Sequence, residues 1–375
     1  MPHSLAHARP LFIAEILQFG GAERSLLALS AWLHRNSLPH YLLTYADHCN
    51  LAQYATHPVT LIELRPALKL PLPATSKISA LKHHLRQRGP SPFAPLVSGY
   101  QPALHAAIAG LRGFHCLMHD TPSLFSDAPH RSLRNKLRIS VSNTIAARGL
   151  RSGGATIVTS DFLRSECRRD FGVNAHIARM GGLSDAAHTP HLRTVTNQLR
   201  MLSVCRIEAN KRIDWMLRAL AALEHAPAPL SARIDWHLDL AGSGSQIAAL
   251  TAMAVSLGIA GRVHLHGFVS DQELAHLYDR AHLFLMPAIQ GYGIPAIESL
   301  QRGIPVLLHR QSGVSDILLD TPWATVLHGD ESTLLPALRQ AIDNVLANRH
   351  HTAPKPTLPT EEQWAERVAR LCHWI

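Results

Sequence analysis

Arg206 and Lys211 stand five residues apart at the end of the apolar run Met201–Cys205, and they form a cationic pair suited to phosphate. A guanidinium forks onto two phosphate oxygens at once, whereas an ammonium acts as a point charge on a flexible stem. Further along, an apolar strand (282–286) runs into a glycine-rich turn holding Gly291 and Gly293, and a helix opens near Pro295. Proline suits the first helical turn because its missing amide would go unpaired there anyway. The remaining first-turn amides are free donors at the positive end of the helix dipole, so the turn can seat a diphosphate. Glu298 lies one turn into this helix, where its carboxylate can reach a sugar hydroxyl. His119-Asp120 closes another short apolar run, His115–Met118, and adds an imidazole able to hydrogen-bond a substrate.

The elements that must hold these groups alternate between strand and helix. Leu11–Leu17, Tyr41–Tyr45, Pro92–Val97, His115–His119 and Thr156–Thr159 read as strands, with helices over Ala22–Leu33, Ala103–Leu111 and Phe162–Phe171. Residues 64–92 carry Pro66, Pro71, Pro73, Gly89, Pro90 and Pro92 and read as an irregular excursion. A polar stretch over 184–199 reads as a linker. A second alternating set then runs from Met201 to a helix over Leu334–Ala347, and a final helix over Glu361–Ile375 carries Trp364, Val368, Leu371 and Cys372 on one stripe. Such alternation implies parallel sheets covered by helices on both faces. A chain of 375 residues exceeds one hydrophobic core and suggests two domains.

The segment Gln290-Gly291-Tyr292-Gly293-Ile294-Pro295 through Glu298 resembles the E-x7-E signature of retaining GT-B glycosyltransferases, specifically glycosyltransferase family 4, with Gln290 in the place of the first glutamate. Gly20-Gly21-Ala22-Glu23 is similar to the family's donor-diphosphate loop, and Cys205–Lys211 to its Gly-Arg-Leu-x-x-x-Lys segment. Leu238–Gly244 and Val263–Val269 resemble its next two strand-and-glycine elements, so the likeness runs in order along nearly the whole chain. It implies an α/β chain of GT-B fold, two Rossmann-like doubly wound parallel-sheet domains facing an interdomain cleft. The domains expected are an acceptor-binding one over 1–188, a nucleotide-sugar-binding one over 189–355, and a helix over 356–375 crossing back to the first.

The resemblance also implies roles. His119, Arg206, Lys211 and Gln290 become the catalytic candidates. Gly20, Gly21, Gly242, Gly267, Phe268, Val269, Gly291, Tyr292, Gly293, Ile294 and Glu298 become the donor-binding candidates, with Glu298 on the ribose. Breaking the bond from a sugar to a diphosphate builds negative charge on the leaving group, which fixed cations and amides stabilise in advance. No Asp-x-Asp occurs in the chain, so no metal and no cofactor is expected; a UDP- or GDP-linked sugar is the donor substrate. Retaining GT-B enzymes resemble a front-face substitution in which the departing phosphate helps deprotonate the acceptor. An amide at position 290 still donates and accepts hydrogen bonds to sugar hydroxyls; if a carboxylate is required there, the protein is slow or inactive. A nucleotide-sugar epimerase of the same fold and a catalytically impaired nucleotide-sugar-binding protein are the alternatives.

Charge is uneven. Residues 1–190 hold 20 Lys and Arg against 10 Asp and Glu, and residues 191–375 hold 16 against 17, so the whole net charge of +9 comes from the first half. Arg65–Arg88 and Arg131–Arg151 each carry six basic residues and no acid, the second interleaved with Leu133, Leu137, Ile139 and Val141. That pattern suits an anionic membrane surface and a saccharide or lipid-linked acceptor. No stacking aromatics accompany it, so nucleic acid is not expected as a partner. No run is long enough to span a bilayer and no cleavable signal pattern is evident, which points to a cytoplasmic protein, peripheral at the inner face of the cell membrane. Five scattered cysteines without Cys-x-x-Cys suggest neither disulfides nor a zinc site.

Overall fold

In the first half, β1 (Arg9–Phe12) is buried along its whole length, as a strand with helices on both faces must be. A computed structural model describes residues 7–17, 19–65, 73–89, 91–122, 133–182, 192–318 and 321–375. The chain divides into two compact units, Met1–Met180 with Pro359–Ile375, and Gly181–Leu358.

After β1 come β2 (Glu15–Ile16), α1 (Gly21–Arg35), β3 (His40–Thr44), β4 (Ala46–Asp47) and β5 (Leu61–Glu63). Then follow α2 (Pro73–Arg88), β6 (Leu96–Ser98), α3 (Tyr100–Ile108), β7 (His115–Met118) and α4 (Leu133–Leu150). β8 (Thr156–Val158), α5 (Asp161–Phe171) and β9 (His176–Ile177) complete the run. Seven of the strands form one sheet in the order β5-β3-β1-β6-β7-β8-β9, and β2 pairs with β4 in a separate ribbon. Each pairing in these two sheets is parallel. The order reverses between β1 and β6, the kind of point beyond whose carboxyl ends open parallel sheets take ligands. Phe12, Tyr41, Val97, Met118, Leu163 and Phe171 form its core.

The second unit repeats the plan. It contains β10 (Gln198–Val204), α6 (Ile213–Glu224), β11 (Asp235–Ala241), α7 (Ile247–Ser256), β12 (Val263–Gly267) and α8 (Asp271–Arg280). β13 (Leu283–Met286), α9 (Ile294–Gln301), β14 (Val306–His309), β15 (Ala324–Leu327) and α10 (Leu334–Leu346) follow. Six parallel strands lie in the order β12-β11-β10-β13-β14-β15, with the reversal between β10 and β13. Trp236 and Leu238 of β11 pack with Met216 and Leu220 of α6 and Ile342 of α10.

The chain then returns to the first unit as α11 (Glu361–Leu371). Thr360 caps this helix by accepting from the Gln363 amide at 3.1 Å, and Trp364, Val368 and Ala369 are buried. Trp32 of α1 donates its indole N–H to Glu362 at 2.7 Å, and Arg9 Nη2 donates to the Trp374 carbonyl at 3.0 Å.

Two expectations need correction. Residues 64–92 are not irregular throughout: a helix, α2, fills 73–88 and begins on Pro73, where proline is favoured rather than disruptive. The run Leu11–Leu17 is not one strand. The backbone leaves the main sheet after Phe12, where the Ala14 carbonyl accepts from both the Tyr45 amide and the Thr44 hydroxyl. Residues 123–132 and 183–191, which hold Arg131 and half of the expected linker, lie outside the described residues.

Candidate functional site

In the second unit the candidate residues sit on loops at the carboxyl ends of β10 to β13, where open parallel sheets take their ligands. The loop after β10 is laced to the loop after β11. The Cys205 amide donates to Ala241 at 3.1 Å, Ile207 to Ser243 at 2.9 Å and Gln246 to Ile207 at 3.0 Å, while Gly242 donates to Gly267 at 2.7 Å. This close approach dictates glycine. Gly242 has φ of +136°, and a Cβ there would stand 1.9 Å from the Cys205 carbonyl oxygen. At Gly244 a Cβ would stand 2.3 Å from the Ile207 oxygen. Glu208 caps the arrangement by accepting from the Ser245 amide and hydroxyl at 3.1 and 2.6 Å, which lowers its pKa. Burial raises the Cys205 thiol, so it stays protonated beside the two cations.

Arg206 emerges from this scaffold exposed, with no ion pair among the described residues. Lys211, in a short 3-10 turn before α6, donates its ammonium to the Gln290 amide oxygen at 3.1 Å. That contact joins the β10 loop to the β13 loop across the point where strand order reverses. Gln290 is further held by the Gly313 amide on its carbonyl at 3.1 Å. Tyr292 is buried, its carbonyl accepting from the Ser312 hydroxyl at 3.0 Å, and Gly291 is buried beside it. Gly293, with φ of +122°, leads into α9, whose first residue is Ile294. Phe268 follows β12 and is 82% exposed, with Val269 half-buried.

Glu298 departs from a freely presented ligand. It is buried, and one carboxylate oxygen accepts from the Tyr278 hydroxyl of α8 at 2.7 Å.

In the first unit, Gly20 precedes α1, and its amide donates to the Glu23 carboxylate at 3.1 Å, so the helix start already carries a negative group. Gly21 opens the helix and is exposed. His119 ends the β7 loop half-buried, its Nε2 2.9 Å from the Ser98 hydroxyl at the end of neighbouring β6. Burial lowers its pKa to about 4, so the imidazole is neutral at physiological pH. Among the described residues, no group of three or more His, Cys, Asp or Glu side chains could hold a metal ion.

The chain has relatives of known sequence and structure. Residues 187–366 match the family glycosyl transferases group 1. Within that segment lie Arg206, Lys211, Gln290, Glu298 and the glycine loops of the second unit. A GDP-mannose-dependent alpha-(1-6)-phosphatidylinositol monomannoside mannosyltransferase of Mycolicibacterium smegmatis is 28% identical over 191 residues, 47% of this chain and 48% of that protein. D-inositol 3-phosphate glycosyltransferase of Streptomyces coelicolor is 31% identical over 168 residues, 44% of this chain and 37% of its own. The chain thus spans less than half the length of these curated relatives. Two solved structures cover it almost fully. WaaG, a glycosyltransferase involved in lipopolysaccharide biosynthesis, superposes with a TM-score of 0.70 at 17% identity over 96% of this chain and 99% of WaaG. Anabaena HepE, in complex with UDP and glucose, gives a TM-score of 0.72 at 16% identity over 98% of this chain and all of HepE. At such identities the likeness is one of fold, and the fold is GT-B.

Three contacts escape the glycine-and-cation signals: Lys211 on Gln290, Ser98 beside His119, and Tyr278 on Glu298. Ser98 was findable, since it ends the strand that neighbours His119. Tyr278 was not. It is one tyrosine in an amphipathic helix, and no local pattern separates it from a core residue.

Proposed function

We propose that this protein is a retaining, metal-independent glycosyltransferase of family 4 that transfers a hexose from a UDP- or GDP-linked sugar to a saccharide or lipid-linked acceptor. The reaction belongs to bacterial surface polysaccharide or glycolipid synthesis. The observation that carries this reading is Lys211 on Gln290 at the reversal of strand order, with the Arg206 guanidinium exposed beside it. Two cations and a run of loop amides at that edge suit a departing diphosphate. The named mannosyltransferase relative uses GDP-mannose and the HepE structure carries UDP, which favours a nucleotide-sugar donor here. In this reading Arg206 and Lys211 hold the diphosphate, Gln290 and neutral His119 hydrogen-bond the sugar, Phe268 and Val269 receive the base, and Glu298 binds the ribose.

Acceptor binding falls to the first unit, at an anionic membrane face. Leu137 and Val141 are 68% and 53% exposed one turn apart on α4, beside exposed Arg138. On α2, Lys82 and Arg86 are exposed, whereas Lys77 pairs with Glu15 and Arg88 donates to the Ala8 carbonyl. Among the described residues no helix is long and apolar enough to cross a membrane. An amide at position 290 also supports a second reading, a nucleotide-sugar-binding protein with impaired turnover.

The test incubates the protein with radiolabelled UDP- and GDP-sugars, with and without anionic vesicles carrying a bacterial lipid extract, in the presence of a chelator. Label moving to lipid or saccharide with anomeric configuration retained is the expected result. Loss of transfer on chelation would remove metal independence. Binding without turnover would establish the second reading, and interconversion of free nucleotide sugars would mean an epimerase.

A further inference from the structure

Tyr278 and Glu298 are both almost fully buried, on different helices, 20 residues apart in the chain. The phenol donates to one carboxylate oxygen at 2.7 Å, so that oxygen is fixed in direction. Behind the ring, Phe284 of β13 stacks at 6.5 Å between centroids. The Arg302 guanidinium lies over the ring with its carbon 4.8 Å from the centroid. Arg302 is 8% exposed, and its Nε and Nη1 atoms find no hydrogen-bond partner among the described residues. A guanidinium buried without full hydrogen bonding is costly unless something else compensates, and here the compensation is the face of Tyr278. A cation over the ring draws electron density from it and makes the phenol a better donor to the carboxylate. Arg302, Tyr278 and Glu298 therefore form one relay linking α8 to α9.

A carboxylate one turn into α9 has two rotatable bonds beyond its Cβ, and the Tyr278 hydrogen bond restrains both. Because Tyr278 fixes one oxygen, the carboxylate plane, and with it the direction in which Glu298 accepts, is set before any ligand arrives. Such preorganisation matters where a site must recognise a diol, since two hydroxyl donors need an acceptor held at a defined angle.

We infer that Tyr278 is a positioning residue that sets ribose recognition by Glu298, so that the donor site discriminates ribonucleotides from their deoxy forms through the phenol rather than the carboxylate alone. The inference rests on the reading that Glu298 binds the donor ribose.

The experiment titrates the full-length protein with UDP, GDP and the 2′-deoxy and 3′-deoxy forms of each by calorimetry, in wild type and in Tyr278→Phe. Phenylalanine keeps the ring under Arg302 and removes only the hydroxyl. Wild type should prefer the ribonucleotide it binds over at least one deoxy form by about tenfold to a hundredfold, the factor carried by a hydrogen bond to an ionised carboxylate. In Tyr278→Phe that preference should fall to a few-fold, through weaker binding of the ribonucleotide, while affinity for the deoxy form stays constant. Glu298→Gln, which leaves the tyrosine and its stacking in place, should lose the same preference. Thermal melting checks that each variant is folded.

An unchanged preference in Tyr278→Phe would overturn the inference, as would an equal loss for both nucleotides, which marks a merely structural contact. A wild type that binds UDP or GDP without discriminating either deoxy form would also overturn it, while leaving the donor reading in place. A wild type that binds neither nucleotide would overturn the donor reading and the inference together.

Discussion

Replacing Gln290 with glutamate changes one atom and adds one charge, and Lys211 is already in place to meet it. The ammonium stands 3.1 Å from the amide oxygen that would become a carboxylate oxygen. Two unit charges at that distance attract by about 5 kcal/mol at an effective dielectric constant of about 20. Both side chains are half-buried. Desolvation therefore removes most of that attraction, and a net coupling of about 1–2 kcal/mol lies between exposed and buried pairs. If Lys211 serves the donor diphosphate, the new carboxylate competes with the phosphate for it. The apparent affinity for donor should then fall by about tenfold, with KM rising accordingly. The variant should meanwhile be more stable to urea than wild type by about 1 kcal/mol, because the unliganded pair is stronger. Nucleotide affinity by calorimetry and steady-state transfer give both numbers, and Lys211→Met in each background isolates the pair as a double-mutant cycle. A rise in kcat/KM above tenfold, or tighter donor binding, would refute this reasoning. It would mean that a carboxylate belongs at position 290 and that the native amide impairs the enzyme.

Gly242→Ala should destabilise the protein by more than about 3 kcal/mol in urea denaturation, since the new Cβ meets a backbone oxygen at 1.9 Å and φ is positive. Gly261→Ala, whose Cβ meets nothing within 4 Å, should stay within about 1 kcal/mol of wild type; equal effects would refute the close-approach argument. Burial lowers His115, His119, His282 and His350 to about 4. Between about pH 6.5 and 4 the unfolded chain binds protons that the native protein does not, so stability should be highest above about pH 6.5 and fall as pH drops toward 4. Urea midpoints constant from pH 7 to 5 would count against this.

Much of the second sheet was readable because β13 and β14 are nearly continuous apolar runs and several of its strands lead into glycine loops that something physical requires. Gly242 and Gly293 are examples, with backbone conformations that other residues rarely adopt. The helix at Pro295 was found because proline near a helix start follows from its missing amide. The same argument applied to Pro73 would have found α2, but neighbouring Pro66 and Pro71 made the stretch look like a succession of breakers. The strand Ala324–Leu327 carried no turn signature and was not read at all. At the candidate site the residue types could be read from the sequence, but their pairing could not. Lys211 meets Gln290 from 79 positions away, and such a contact is fixed by sheet order rather than by any local pattern. The Glu23 carboxylate at the Gly20 amide could have been anticipated, since an acid three residues past a cap position regularly reaches back to it.

The return of α11 to α1 gives the first unit a late-arriving piece. The seven strands of its main sheet are all in place by Ile177, yet the indole of Trp32 and the guanidinium of Arg9 wait for Glu362 and Trp374. During synthesis the intervening unit is free to fold as soon as it emerges, while the earlier one keeps an apolar seat open for Trp364 and Val368. The earlier unit is therefore completed only after the later one has emerged, and removing α11 should harm the first unit before the second.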